Sequence, residues 1–378
     1  MTPSSNPIER RHDLDALRAA AMLVGVAFHA AHSFAPGMPW PVHDTQQSPW
    51  WYLVLFAVHG CRMQIFFLLS GYFTALLFER HGLQGLLYHR LTRIGGPLFG
   101  AMAVLIVGLP WVIHQFNPAI PFRLPQWNDP GLFSYLWFLW FLLWLVGAFC
   151  LVISFARFLK WSPDVRKVVS WPGVLVALIF SAALLKVMSR APHISIGPDT
   201  SPALIPDFKV LGCYAVFFAF GACGQRVPVN LSRLAATWRW QLPLALLVWF
   251  PVSIALVTPA WPHRANIISP TWSDSFAMVT QALYAWSMCL GFIGLVETYL
   301  AKPLAWIRYF ADASYWIYLT HLPLVTWSQF FVSQFAWNGF LKFTLITSVD
   351  LIILSLLYRW VIRDYWIGRL LNGPKLKA

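Results

Sequence analysis

Long apolar runs, separated by short polar segments, repeat along almost the whole chain. Ten of them have the roughly 20 mostly apolar residues that an α-helix needs to cross a bilayer. The predicted spans are 14–34, 53–79, 95–115, 131–155, 171–189, 209–225, 240–260, 275–299, 313–334 and 338–362. The pattern therefore predicts an all-α integral membrane protein, a bundle of about ten transmembrane helices.

The composition supports this class, because 58% of the 378 residues are hydrophobic, 17% aromatic and only 11% charged. The formal net charge of +13 could suggest a nucleic-acid partner, but nineteen of the 27 basic residues lie in alternate polar segments. The opposite segments hold little more than Arg123, Arg190 and Arg264. Since cytoplasmic loops carry the excess of Lys and Arg, this distribution predicts that both termini are cytoplasmic and argues against nucleic acid.

One transmembrane domain, residues 1–378, is expected to account for the whole chain. No loop exceeds about twenty residues, and neither an internal repeat nor a Walker or GxGxxG loop is found. Residues 1–13 are polar and have no apolar region, so we expect no cleaved signal peptide. Five cysteines lie in apolar runs without metal-ligand spacing, so we expect packing roles for them and no metal site.

The first span keeps several ionisable residues, which are costly inside a membrane and are candidates for function. At 100° per residue, Arg18 and His29 lie only about 20° apart around the helix axis and about 16 Å apart along it. Asp15 and His32 lie close to the same face. Histidine is the natural general base near neutral pH, and arginine binds phosphate. The alternative is structural: Arg18 reaches the lipid headgroups and His29 bonds a neighbouring carbonyl.

The second span carries two polar residues near its predicted outer end. Arg62 is a cation on the side that the charge distribution leaves poor in charge, so we expect it to pair with another group. Gln64 follows two residues later, and Ser70 and Gly71 lie deeper in the span. Because no GxSxG motif surrounds Ser70, helix packing is a better interpretation for it than a nucleophile.

The ninth span carries His321 on one helical face with Tyr318 and Tyr315, at spacings of three. One interpretation is interhelical hydrogen bonding that orients this helix. The other is a supporting or oxyanion-donor role beside His29.

Tryptophans in the predicted outer segments have two interpretations as well. They can anchor the protein at the membrane interface, or they can stack on sugar rings. They are Trp40, Trp50, Trp51, Trp127, Trp261 and Trp272.

Several motifs occur in a fixed order along the chain. They are Leu14-Asp15 with Arg18, ten intervening residues and His29, then CRMQIFFLLSGYF at 61–73, HRLTRIGGPL at 89–98, LWFLWFLL at 136–143 and SYWIYLTHLP at 314–323. This series resembles the membrane-bound acyltransferase 3 family, whose members have ten-helix cores. Within the family it is most similar to the branch that succinylates osmoregulated periplasmic glucans. Residues 150–300 match only as hydrophobic helices, and Tyr135 stands where the branch usually has His.

The resemblance implies an acyl-CoA co-substrate bound from the cytoplasm, and no permanently bound cofactor. Arg18, Arg90 and Arg93, with Asp15 beside Arg18, would meet its phosphates at the inner mouth. The acceptor would be a hydroxyl of a periplasmic glucan, and the enzyme would lie among the lipids of a bacterial inner membrane.

By the same resemblance, His29 would be the general base, and His321 and Tyr318 would assist it. Arg62, as the cationic partner of a succinyl carboxylate, is expected with Gln64, Ser70 and Trp137 along the substrate path. The residues leave alternatives open: an acetyl donor, another envelope polysaccharide as acceptor, a transient acyl-histidine, a secondary transporter, or a membrane protein without chemistry.

Overall fold

A computed structural model of the chain describes residues 11–188, 197–257, 270–302 and 304–373. All regular structure in these ranges is helical. The long helices are α1 His12–Ala31, α2 Trp51–Arg90, α3 Gly96–Phe116, α4 Trp137–Phe158, α5 Trp171–Met188, α6 Phe208–Arg226, α7 Trp238–Val257, α8 Pro270–Tyr299, α9 Ala305–Ser333 and α10 Gly339–Leu357. The prediction of an all-α protein is confirmed.

Each predicted span falls largely on one of these helices. In the described part of the chain, eight helical stretches are long and apolar enough to cross a membrane, and one of them, Trp51–Phe116, contains both α2 and α3. Helix α9 is not among the eight, because polar side chains such as Ser314, His321 and Gln329 lower its hydropathy. The count of ten spans and the cytoplasmic termini stay predictions.

Helix α2 changes direction near its end, where Gly82 adopts φ +64°. Glycine takes this left-handed conformation without the steric penalty of a Cβ atom. A π-helical turn, Leu91–Gly95, then connects α2 to α3, which has Pro97 in its first turn. The bend places Arg90 and Arg93 beyond the long apolar part of α2.

Helices α2 and α6 approach so closely that only glycine fits at two positions. A Cβ atom at Gly71 would collide with the carbonyl of Phe218, and one at Gly221 would collide with the carbonyl of Leu68. Small residues allow such backbone contact between membrane helices. Ser70 and Gly71 therefore lie in a packing interface.

Helix α1 lies inside the bundle and packs against α2, α8, α9 and α10. We name the two ends of the bundle after the residues of α1 that lie towards them, Arg18 and His29. At the Arg18 end, Arg11 forms an ion pair of 2.6 Å with Glu297, which also accepts a hydrogen bond from Ser232. At the His29 end, loop 35–50 meets the start of α10.

Loop 35–50 is fastened to α10 by a buried ion pair. Lys342 Nζ lies 3.0 and 2.8 Å from the two carboxylate oxygens of Asp44, and the two side chains are 0% and 2% exposed. The backbone N–H of Gln46 also donates to Asp44, at 2.8 Å. The pair thus holds the loop over the end of α1.

Lys342→Met should lower the free energy of unfolding by about 3–5 kcal/mol, because it leaves the buried Asp44 carboxylate unpaired. The double variant Asp44→Asn with Lys342→Met should recover most of that loss. Unfolding in detergent measures both. The control is Asp129→Asn, in an ion pair whose Arg123 is 66% exposed, and it should cost about 1 kcal/mol or less. A double variant as unstable as Lys342→Met would contradict this account.

Candidate active site

A cavity of about 460 Å³ opens beside α1 at the His29 end, between α1, α2, α4 and α9. Residues from Ala21 to His32 on one face of α1 form one wall, and Thr200 and Pro202 contribute to its rim. Five of the predicted site residues line it: His29, Arg62, Trp137, Tyr318 and His321. The cavity therefore brings together side chains from four helices that are far apart in the sequence.

His29 is surrounded by aromatic rings. Its ring centroid lies 5.2 Å from that of His321, 5.5 Å from that of His32 and 5.6 Å from that of Trp40, whose plane is inclined by only 16° to the His29 ring. The Nδ1 atom of His29 is buried and has no hydrogen-bond partner in the described part of the chain. Such a polar atom is costly unless a substrate, a water or a neighbour completes it.

The hydrogen bonds of the neighbouring histidines fix where their protons lie. His321 Nδ1 is 2.8 Å from the carbonyl oxygen of Tyr318, and His32 Nδ1 is 2.8 Å from that of Phe28. A carbonyl can only accept, so both Nδ1 atoms carry the proton. In the neutral ring, His321 Nε2 is then an acceptor, and it is buried without a partner among the described residues.

Trp40 and Gln329, which sequence reasoning did not connect with His29, hold the position of its ring. Trp40 Nε1 donates to Gln329 Oε1 at 2.8 Å. Gln329 Nε2 in turn donates to the carbonyls of His29 and Ala30, at 2.9 and 3.1 Å. Gln329 is 1% exposed, so a single buried amide links loop 35–50, α9 and the end of α1. No sequence motif marks this link, because the residues are about 290 positions apart.

Arg62 has an aromatic partner. Its guanidinium lies over the Phe28 ring, with the central carbon 4.6 Å from the centroid, and no described carboxylate forms an ion pair with it. It also lies against Gly25, where a Cβ atom would be 2.7 Å from a guanidinium nitrogen. The Nε atom is buried without a described partner. The cavity thus contains a cation that forms no ion pair with a carboxylate of the described residues.

Two tyrosines tie α9 to the start of α4. Tyr318 donates to the carbonyl of Tyr135 at 2.7 Å, and Tyr135 donates to the carbonyl of Leu319 at 2.6 Å. Both side chains line the cavity, and both hydroxyl protons are engaged by backbone. Tyr135, at the position where the similar branch usually has His, therefore contributes to the wall beside His321, with ring centroids 5.0 Å apart.

At the Arg18 end, the predicted phosphate ligands form a loose group outside the cavity. Arg18 forms an ion pair of 3.3 Å with Asp15, and its guanidinium lies over Phe73. Arg90 donates to Thr74 at 2.8 Å, and its Nε atom is buried without a described partner. Arg93 differs, because its backbone carbonyl accepts from Tyr315 at 3.0 Å while its guanidinium packs against Gly373.

The α1 face connects the two groups. Met22 and Gly25, which lie four and seven residues after Arg18, both line the cavity, and His29 is one turn further. Arg18 is thus about one helical turn, or 6 Å, from the nearest lining residue of its own face. The predicted polar stripe therefore runs from Arg18 along this helix face to the cavity wall.

Gln64 and Ser70 do not line this cavity. Gln64 is 1% exposed and faces Gly197, and its Oε1 atom has no partner in the described part of the chain. Ser70 is buried beside the crossing of α2 and α6. Gln64 lies about 100–160° around α2 from Arg62, Met63 and Phe66, so it faces away from the wall that they form. Ser70 follows Phe66 by four residues on the same face, one turn beyond the last lining residue of α2.

The described chain is a helical bundle with a cavity lined by histidines, and comparison with known families identifies its class. The acyltransferase 3 model, described as an acyltransferase domain, matches residues 11–359, and the chain belongs to this family. The protein is therefore a membrane acyltransferase. The match includes residues 150–300, where the sequence motifs gave no resemblance.

Curated relatives agree with the branch that the motifs indicate. The chain is 29% identical over 355 residues to glucans biosynthesis protein C of Shigella dysenteriae serotype 1, covering 89% of this chain and 88% of the relative. It is 28% identical, with the same coverage, to glucans biosynthesis protein C of Escherichia coli strain K12. The resemblance to this branch is confirmed. No solved structure has significant similarity to the chain.

Gln329→Met keeps the side-chain volume but removes both the acceptor for Trp40 and the donor for the α1 carbonyls. We expect acyl transfer to fall about tenfold or more, because a small displacement of a reacting group is costly in rate. Initial rates of the purified enzyme measure it. Gln334→Met, the same change at the exposed end of α9, is the control and should be neutral. A normal rate for Gln329→Met would show that this link does not position His29.

Proposed function

We propose that this membrane acyltransferase moves a succinyl group from succinyl-CoA to a hydroxyl of a periplasmic glucan, with His29 as the general base. The observation that carries the proposal is the α1 face, which leads from the Arg18–Asp15 pair into the cavity where His29 Nδ1 and His321 Nε2 have no described partner. The names of the relatives, which refer to glucan biosynthesis, support the acceptor class.

The donor enters from the Arg18 end in this proposal. Arg18 and Arg90 are the cations nearest the start of the α1 face, and guanidinium groups bind phosphates through fixed, planar donors. The pantetheine arm then follows Met22 and Gly25 towards His29, about 16 Å from Arg18 along the helix. The pantetheine arm is long, thin and largely uncharged, so it suits a helix face that is mostly apolar.

The chemical step begins with a hydroxyl of the glucan close to His29. His29 Nε2 takes the hydroxyl proton while the oxygen attacks the thioester carbonyl carbon and forms the ester bond. The carbon–sulfur bond breaks, CoA leaves as the thiolate, and the imidazolium returns the proton to it. No residue outside the cavity is needed to balance the protons.

His321 is a positioning residue in this scheme. Because its Nδ1 proton is engaged by the Tyr318 carbonyl, the neutral ring presents a lone pair at Nε2 and lacks a proton for an oxyanion. We therefore prefer an acceptor role over the oxyanion-donor role considered from the sequence. The two rings are 5.2 Å apart between centroids but do not bond each other in the structure, so the proposal has them come together when the substrates bind. His321 Nε2 then accepts the Nδ1 proton of His29, which leaves His29 Nε2 free to act as the base.

Arg62 is the feature that favours a succinyl donor over an acetyl donor. A succinyl group brings a carboxylate into the cavity, and an unpaired buried carboxylate would be costly. The guanidinium lies against Gly25, one turn before His29, or about 6 Å along the axis. Its Nε–H has no described partner, so it can donate to that carboxylate.

The remaining parts of the proposal concern the surroundings of the enzyme. Residues 1–378 form one domain in a bacterial inner membrane, with the Arg18 end in the cytoplasm and the His29 end facing the periplasm. Transfer of an acetyl group to another envelope polysaccharide is the second candidate, since it would use the same histidines and only Arg62 argues against it.

His29→Ala and Arg18→Ala should fail in different ways. His29→Ala should keep donor binding and lose turnover by about 10²–10⁴, because the base acts on groups whose charge changes in the transition state. Arg18→Ala should mainly weaken donor binding. Calorimetry with a non-reactive donor analogue and initial rates separate the two effects, with His43→Ala in the exposed part of loop 35–50 as control. A monodisperse His29→Ala enzyme with near-normal turnover would exclude His29 as the base.

Arg62→Gln should lower succinyl transfer by about 10–100-fold more than acetyl transfer, because one charge-assisted hydrogen bond is lost for only one donor. Rates with the two donors in one preparation give the ratio directly. Arg157→Gln is the control, since this guanidinium also lies over a ring, that of Phe78, but on the exposed side of α4. An equal loss for both donors would remove the argument for succinyl.

Reporter fusions should place loops 34–52 and 116–130 outside the cytoplasm, and position 160 inside it, as the charge distribution predicts. A cytoplasmic result for 34–52 would reverse the direction in which donor and acceptor enter.

A further inference from the structure

A second cavity, of about 630 Å³, lies on the outer side of α1 and is almost entirely apolar. Its walls come from α1, the first turns of α9 and the last turns of α10. It extends along α10 from Leu351 to Arg359, about 12 Å at 1.5 Å per residue. It is thus a groove about as long as one leaflet's hydrocarbon is deep, since the full core measures about 30 Å.

Small side chains on α1 create the groove. Ala16, Ala19 and Ala20 line it at helical spacing, and Leu23 closes its far end. Ala16 and Ala20 each lie about 200° around the axis from Arg18, so the groove occupies the face of α1 opposite the one that leads to His29. Alanines at this spacing normally admit a close neighbouring helix, but here the groove between α1, α9 and α10 leaves Ala20 exposed.

Two cations mark one end of the groove. Arg359 lines it, and Arg363, one turn further along the chain, lies over the ring of Tyr309, which also lines it. The Tyr309 hydroxyl is engaged by the carbonyl of Ser355 at 2.7 Å, so it does not compete for the guanidinium groups. In the described part of the chain neither arginine forms an ion pair with a carboxylate, and both are exposed.

We propose that this groove binds an anionic phospholipid, with one acyl chain between α1, α9 and α10 and its phosphate on Arg359 and Arg363. The charge arrangement selects this occupant: the groove itself has nearly no polar group, whereas its end presents two guanidinium groups that form no ion pair within the described residues. Basic residues beside an apolar groove between membrane helices recognise acidic headgroups. The lipid fills the space that no helix covers and supports α1 from the side opposite the cavity.

The proposal does not depend on the chemistry of His29. It also differs from general solvation by lipid, which requires neither a fixed groove nor a particular headgroup. A lipid held here would survive purification and would prefer an acidic headgroup.

Native mass spectrometry of the purified full chain, exchanged into nanodiscs of phosphatidylglycerol, phosphatidylcholine or an equal mixture, tests the site. We expect one retained phosphatidylglycerol, preferred over phosphatidylcholine by about tenfold or more, since both arginines attract the acidic headgroup. The double variant Arg359→Gln with Arg363→Gln should lose the preference. Ala20→Leu, which fills the groove, should lose the retained lipid itself.

Arg233→Gln, an exposed arginine elsewhere on the bundle, is the matched control and should retain the lipid. Equal retention of both lipids by the native chain would overturn the proposal, and so would undiminished preference in the double arginine variant. Loss in that variant with full retention in Ala20→Leu would also overturn it, because the lipid would then be bound outside this groove.

Discussion

The site depends on the cost of burying polar groups in an apolar bundle. Ring nitrogens and guanidinium groups lose their hydration when helices pack around them, and each must find a partner or remain a source of instability. Most polar groups near the cavity have found one in the backbone: Tyr135, Tyr318 and His32 all bond carbonyls. His29 Nδ1, His321 Nε2 and Arg62 Nε have none in the described part of the chain. The groups that the protein leaves incomplete are the ones that a substrate can complete.

Keeping such groups in place requires rigid surroundings, and these come from distant parts of the chain. The glycine contacts between α2 and α6 fix the helix that carries Arg62. The buried Asp44–Lys342 pair and the Gln329 amide fix the loop that carries Trp40. Because Gln329 also bonds the carbonyls of His29 and Ala30, it connects loop 35–50 to the end of α1. Preorganisation of this kind is what lets an enzyme position reacting groups without ordering them during the reaction.

Much of this arrangement could be predicted from the sequence, because hydropathy and helical periodicity are local signals. The apolar runs predict the helices, and the 100° rule places Arg18 and His29 on one face, where the cavity is found. The polar stripe on α9 singles out His321, whose ring lies 5.2 Å from that of His29, and its role stays a prediction. Predictions failed where contact between distant elements decides the outcome. Gln64 faces away from the cavity, and Ser70 lies one turn beyond its last lining residue on α2, because the rotation of α2 and the depth of the cavity depend on the neighbouring helices. Trp40 stacks on the His29 ring, so one face of the Trp40 ring already contacts the protein. Trp261 and Trp272 are among the residues whose side chains the structure does not describe.

The central claim is that the α1 face guides an acyl-CoA from Arg18 to His29. A structure determined by electron cryomicroscopy with a ketone analogue of succinyl-CoA, in which a methylene group separates the sulfur from the carbonyl so that it cannot be cleaved, tests it most directly. The account predicts phosphates at Arg18 and Arg90, the arm along Met22 and Gly25, the acyl carbonyl beside His29 and the carboxylate at Arg62. Phosphates bound at the His29 end, or an acyl group outside the cavity, would contradict it.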